Sequence, residues 1–122
     1  MRKIATKNVA LKRAYERPVS DDGVRILVDR LWPRGIKKTD AKIHRWLKET
    51  APSTELRQWF GHDVARWEEF RRRYEKELEG HLDEIEELRA LAREGRITLV
   101  FAAHDEAHNE AIVLRDFLLR IH

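Results

Sequence analysis

The sequence predicts an α/β domain, a small mostly parallel or mixed sheet flanked by helices, with all 122 residues in one compact unit. Three observations predict it. The run "ITLVFAA", Ile97 to Ala103, is apolar apart from Thr98, as a central strand covered on both faces must be. Val24, Ile26, Leu27 and Val28 form a second nearly continuous run, rich in β-branched residues. Between these runs the apolar period changes, and Val64, Trp67, Phe70, Tyr74 and Leu78 step by three or four, as one helix face requires.

The remaining elements follow in chain order. Val9, Leu11 and Tyr15 alternate with polar residues and predict a short half-buried strand. Pro18 and the Ser-Asp-Asp-Gly cluster then make a turn, and the strand after it is expected to run on until Pro33, which has no N–H for an interior ladder. Thr39 or Asp40 is placed to cap a helix over "AKIHRWLKET", with Ile43, Trp46 and Leu47 on one face. Ser53 caps "TELRQWF", Gly61 ends it, and Asp63 caps the long helix. Gly80 breaks that helix, and Leu82, Ile85, Leu88 and Leu91 carry a second stripe to Gly95. A last helix, opened by Asp105, has Ala111, Leu114, Phe117, Leu118 and Ile121 on its stripe.

Composition removes several classes of function. With no cysteine, disulfides, thiolate metal sites and cysteine nucleophiles are excluded, and a cytoplasmic location is the expectation. No apolar run reaches the roughly 20 residues of a membrane span, and the N-terminus does not read as a signal peptide. Lys and Arg number 14 against 6 Asp and Glu in residues 1–50, but 11 against 16 in residues 51–122. A basic half draws acidic partners such as phosphates, unless the two halves neutralise each other by packing together.

Two loops hold the candidate chemistry. In "VDRLWPRG", residues 28–35, Pro33 and Gly35 make a turn from which Arg30 and Arg34 emerge close together. A guanidinium is a planar fork of donors suited to carboxylate or phosphate. Asp29 is placed to orient one arginine, and Trp32 either stacks on a ligand or covers the core. The second loop, "AAHDEAHN", residues 102–109, follows the central strand, where ligand crevices of open α/β sheets lie. Here Asp105 is the expected helix cap. His108, in the first helical turn beside Asn109, is suited to acid–base work or polar recognition. His62, next to the Asp63 cap, is expected either to face the same crevice or to make the helix-start turn, and Arg57 borders Trp59 and Phe60, which read as core. The expected catalytic set is therefore His108, His62 and Asp105. The expected anion-binding set is Arg30, Arg34, Trp32, Asn109 and Asp29. His104 and His108 have an i,i+4 spacing but lack an HExxH glutamate or a further ligand, so no metal is expected. Without a Walker loop, GxGxxG or nucleophile elbow, no cofactor is expected either.

The segments "VDRLWPRG", "WLKETAPSTELRQWFGHD", "WEEFRRRYEKEL" and "TLVFAAHDEAHNEAIVL" resemble the DUF488 family in its small stand-alone prokaryotic branch, from about Leu11 to Leu118. The resemblance implies a compact α/β fold and no established activity. The family pattern falls on Asp29, Arg30, Trp32, Pro33, Arg34, Gly35, Trp59, Phe60, His62, Asp105, His108 and Asn109. The leading expectation is a small enzyme or ligand-binding domain for an anionic, phosphate- or nucleotide-containing substrate. The alternatives are a nucleic-acid-binding or regulatory protein without catalysis, and a homodimeric interaction module. The expected partners are an anionic small molecule or nucleic acid, with no membrane, and the chain is expected as a monomer or homodimer.

Overall fold

The computed structural model describes residues 3–120. Four parallel strands, β1 (Val9–Arg13), β2 (Val24–Leu27), β3 (Arg45–Trp46) and β4 (Ile97–Phe101), form one sheet in the order β1-β4-β2-β3. As expected, β4 is central. Every one of its residues is buried, and it pairs with β1 from Val9↔Ile97 to Arg13↔Phe101 and with β2 from Val24↔Ile97 to Leu27↔Val100. Five α-helices accompany the sheet: α1 (Lys38–Ala41), α2 (Thr54–Phe60), α3 (Trp67–Leu78), α4 (Leu82–Glu94) and α5 (Glu110–Leu119).

The punctuation of α2 acts where expected, whereas Asp63 accepts the Ala65 N–H and caps the short turn Val64–Arg66 ahead of α3 instead of α3 itself. The Ser53 hydroxyl accepts the Leu56 N–H to cap α2, and Gly61 ends that helix at φ +52°. Trp67, Phe70, Tyr74 and Leu78 of α3 are buried with Ile85 and Leu88 of α4 and Ala111, Val113, Leu114, Phe117 and Leu118 of α5 in the main core. Ile121, expected on the last stripe, lies outside the described residues. Val64 and Leu82, the first residues of the two predicted middle stripes, are exposed, because each precedes the part of its helix that packs.

Three further expectations are corrected. The predicted helix over "AKIHRWLKET" is one helical turn followed by a strand. Lys42 turns left-handed at φ +54°, and the next residues lie alongside β2 with Ile26 opposite Arg45 and Leu27 opposite Trp46. Pairing with a buried strand outweighs the local helical period. The β2 strand ends at Leu27 rather than running to Pro33, although Val28 still donates to Val100 O at 3.0 Å. Trp59, read as core, packs only partly buried at the margin of the main core, with the Arg66 and Arg73 guanidinium groups over its ring at 5.3 and 4.1 Å.

A polar knot ties the entry of β2. Arg25, 2% exposed, donates to Asp22 at 2.7 Å and to Ala41 O at 3.0 Å, and Lys12 donates to Asp22 at 3.0 Å. Burial opposes ionisation of Asp22, but the Val19 N–H, Lys12 and Arg25 together hold its carboxyl below the usual range.

Candidate functional site

The chains leaving β2 and β4 diverge. The first goes on to β3 at one edge, and the second enters α5, which packs over β4 and β1. A crevice opens between such adjacent exits in parallel sheets. Here it is a cavity of about 470 Å³ whose lining includes residues 29–34 and 102–105 together with His108, Asn109 and Glu110. Thus the two loops singled out in the sequence share one cavity. Residues of α2 and its C-terminal turn, Arg57, Phe60 and His62, complete one wall with Phe70 of α3.

The β2 loop is pinned at several points. Asp29 Oδ2 accepts the Ala102 N–H at 2.8 Å, joining the two exits. Ile36 N donates to Pro33 O at 3.4 Å across a tight turn with Gly35 at φ +82°, where a side chain would be strained. Trp32 Nε1 donates to Ile36 O at 2.6 Å, and the ring meets Trp46 edge-on at 5.5 Å, so Trp32 both borders the cavity and packs on the smaller core around Leu27 and Val100.

The arginines have different environments. Arg30 donates from Nε to Pro52 O at 3.0 Å and from Nη2 to Ala51 O at 3.1 Å, and lies 3.8 Å from Glu49. Its fork ties the β2 exit to the start of α2. Asp29, expected beside an arginine, instead holds Ala102 and meets Glu110. Arg34 and Arg57 are exposed, line the cavity, and their guanidinium groups have no hydrogen-bond or ion-pair partner among the described residues. Two unpaired cations thus border one opening.

The β4 loop differs from expectation in a specific way. Asp105 Oδ1 accepts the N–H groups of Ala107 at 2.9 Å and His108 at 3.0 Å, so it caps a turn and not α5. The helix cap is Asn109, 2% exposed, whose Oδ1 takes the Ile112 N–H at 3.1 Å and whose amide donates to Asp105 O at 3.0 Å. His108 therefore precedes the helix instead of sitting in its first turn. Its Nδ1 is 2.9 Å from Asp105 Oδ2, and its ring meets Trp67 edge-on at 5.3 Å. The Ala107 amide and the His108 ring hold the Asp105 carboxyl below its ordinary range. With Nδ1 donating to this carboxylate, a neutral His108 keeps Nε2 as an acceptor. His62 lines the cavity from a left-handed backbone, φ +59°, directly after Gly61. His104 is exposed, 3.5 Å from Arg13 Nη2. Among the described residues, no group of three or more His, Asp or Glu is arranged to hold a metal.

One feature of the cavity was not signalled by the sequence. Glu110, the first residue of α5, places Oε1 out of contact with solvent and with no donor to satisfy it. Burial and the adjoining Asp29 carboxyl, with which it hydrogen-bonds, push Glu110 well above the ordinary carboxylic-acid range. This environment favours the protonated form of Glu110.

A family model described as "Inactive DUF488-N3 subclade" matches residues 8–121. The chain belongs to the DUF488 family. It is similar to the uncharacterized protein YeaO of Escherichia coli K12, at 46% identity over 111 residues that cover 91% of this chain and 96% of the relative. The uncharacterized protein Rv3073c of Mycobacterium tuberculosis H37Rv is 43% identical over 110 residues, 90% of this chain and 92% of that one. No solved structure matches it. Of the positions on which the DUF488 resemblance fell, Asp29, Arg30, Trp32, Pro33, Arg34, Phe60, His62, Asp105, His108 and Asn109 line this cavity. Gly35 shapes its turn, and Trp59 lies outside the cavity lining, at the margin of the main core.

Proposed function

We propose that this DUF488 chain is a binding domain that holds a small phosphate-bearing anion between the β2 and β4 loops without turning it over. One observation carries the reading: Arg34 and Arg57, both unpaired among the described residues, border the same cavity. An unpaired exposed guanidinium beside a concave site is a ready partner for phosphate, which it meets through parallel N–H donors. The turn holding Arg34 is fixed by its own hydrogen bonds, which lowers the ordering cost of binding. The subclade's description as inactive supports binding over chemistry. We place the domain in the cytoplasm on the strength of its cysteine-free composition.

The Asp105–His108 pair favours a second reading, a small enzyme in which His108 Nε2 takes or returns a proton while Asp105 fixes the ring. The two readings separate in one experiment. Crystals soaked in phosphate, sulfate and nucleoside monophosphates should show density against Arg34 and Arg57, and Arg34→Ala should remove it with the melting temperature nearly unchanged. Density elsewhere, or binding in solution indifferent to Arg34→Ala, overturns the binding site. Conversion of a phosphate ester that is abolished by His108→Ala would replace the first reading with the second.

A further inference from the structure

Tyr15 is out of place for a residue at the end of a half-buried strand. It is 50% exposed, and so is its cavity neighbour Leu31, at 58%. Large apolar side chains left in water at the edge of a concave site call for an explanation, because the same groups in the core would each be removed from solvent.

Its surroundings show that the Tyr15 ring is held in place and not merely left over. The hydroxyl donates to Arg34 O at 3.0 Å, so the ring reaches across from the β1 exit to the WPRG turn. Arg13 lies over the ring with its guanidinium carbon 5.1 Å from the centroid. Arg13 is itself fixed, since Nε donates to Ala103 O at 2.9 Å and Nη2 to Ala102 O at 3.3 Å in the β4 loop. The ring thus links all three strand exits that meet at the cavity. An aromatic side chain with one contact to a fixed cation and its hydroxyl pinned loses little freedom when a second flat group lies against it. Its hydroxyl bond is to the carbonyl of Arg34, so ring and unpaired guanidinium flank the same opening.

We propose that Tyr15, with Leu31 of the same cavity lining, is a stacking platform for a planar heteroaromatic ring, and that the ligand of this cavity is a nucleotide whose phosphate is held by Arg34 and Arg57. The inference rests on the anion-binding reading above and narrows its ligand from any phosphate compound to one carrying a base. Stacking is tolerant of base identity because every base offers a π-face, whereas a bare sugar phosphate offers none. The cavity, about 470 Å³, falls in the range of sites for ligands of this size.

The test titrates the full chain with the four common ribonucleoside 5′-monophosphates and with ribose 5-phosphate, which keeps the phosphate and sugar but has no base. At least one nucleotide should bind on the order of tenfold more tightly than ribose 5-phosphate. Tyr15→Leu should erase that margin, and Tyr15→Phe, which keeps the ring, should retain most of it; both variants lose the hydroxyl bond to Arg34 O, so any effect of that loss on ribose 5-phosphate binding is common to the two. Melting temperatures of both variants report folding. Nucleotides no tighter than ribose 5-phosphate, or a margin that survives Tyr15→Leu, overturn the platform while leaving the anion site standing. Failure of every probe to bind, or binding indifferent to Arg34→Ala, overturns the anion site and the platform with it.

Discussion

The Glu110 carboxyl meets that of Asp29 where α5 begins, and burial beside this second carboxyl favours the protonated form of Glu110. In the fold, the Glu110 acid form is favoured over its ordinary value of 4.5. The stability contributed by protonated Glu110 is therefore fully present below that value and is lost as pH rises through its raised folded pKa. Glu110→Gln keeps a neutral donor toward Asp29 and has no proton to lose. As pH rises above the ordinary Glu value of 4.5, the melting temperature of the native chain should fall more than that of the variant. Parallel melting curves of the two would show that Glu110 does not keep its proton above that value.

Arg25 depends on Asp22 for its charge to be tolerated in the interior. Removing one partner of a buried ion pair leaves an uncompensated charge, so Asp22→Asn should cost about 3–5 kcal/mol. Lys12, less buried, should matter less: Lys12→Met should cost no more than about 1 kcal/mol. Urea unfolding of the two variants checks the order.

Gly23 enters β2 at φ +65°, ψ −137°, a region closed to side chains, and a Cβ there would lie 2.0 Å from Arg96 O. The contact is with backbone, which holds Val24 in register, so it cannot swing aside. Gly23→Ala should destabilise by more than about 2 kcal/mol or prevent folding, whereas Gly35→Ala, with open space around it, should cost only the strain of its positive φ, about 1 kcal/mol. Thermal denaturation measures both.

Asn109 caps α5, while Asp105 caps only the turn before it. Asn109→Ala should therefore cost about 1–2 kcal/mol, and Asp105→Ala distinctly less. In Asp105→Ala, nuclear magnetic resonance of the His108 ring should report a shifted tautomer balance, because Nδ1 has lost its acceptor. An unchanged ring spectrum would mean that Asp105 does not orient it.

Arg30 and Arg34 looked equivalent in the sequence, four residues apart on one turn, and only the fold separates them. Arg30→Ala leaves the carbonyls of Ala51 and Pro52 without their donors and should cost about 1–3 kcal/mol of stability. Arg34→Ala should be nearly neutral, within about 0.5 kcal/mol, since its exposed guanidinium has no hydrogen-bond or ion-pair partner among the described residues. Comparable losses in a melting experiment would contradict the division of roles.

Continuous apolar runs, caps and glycine stops are local signals, and they made β4, β2, α2 and the packed parts of α3 and α4 legible in the sequence. The placement of both loops on one crevice was legible too, because strand exits of a parallel sheet share an end. What the sequence did not reveal depends on distant partners. Residues 42–47 have a helical period, and only the presence of β2 beside them makes a strand preferable. Glu110 reads as an ordinary first-turn acid until Asp29, 81 positions earlier, is brought against it. Tyr15 reads as one more alternating apolar residue until the WPRG turn arrives under its hydroxyl.

The strand order has a consequence for synthesis. During translation β1 must wait for β4, its only neighbour among the described strands, and β2 must wait for the same segment on its inner side. Until Ile97 through Phe101 clear the ribosome, no strand pairing beyond the two-residue registry of β2 with β3 can form among the described strands. Nascent chains stalled before that point should remain protease-sensitive throughout, then become resistant in a single late step, because the last strand made is the one that joins the others.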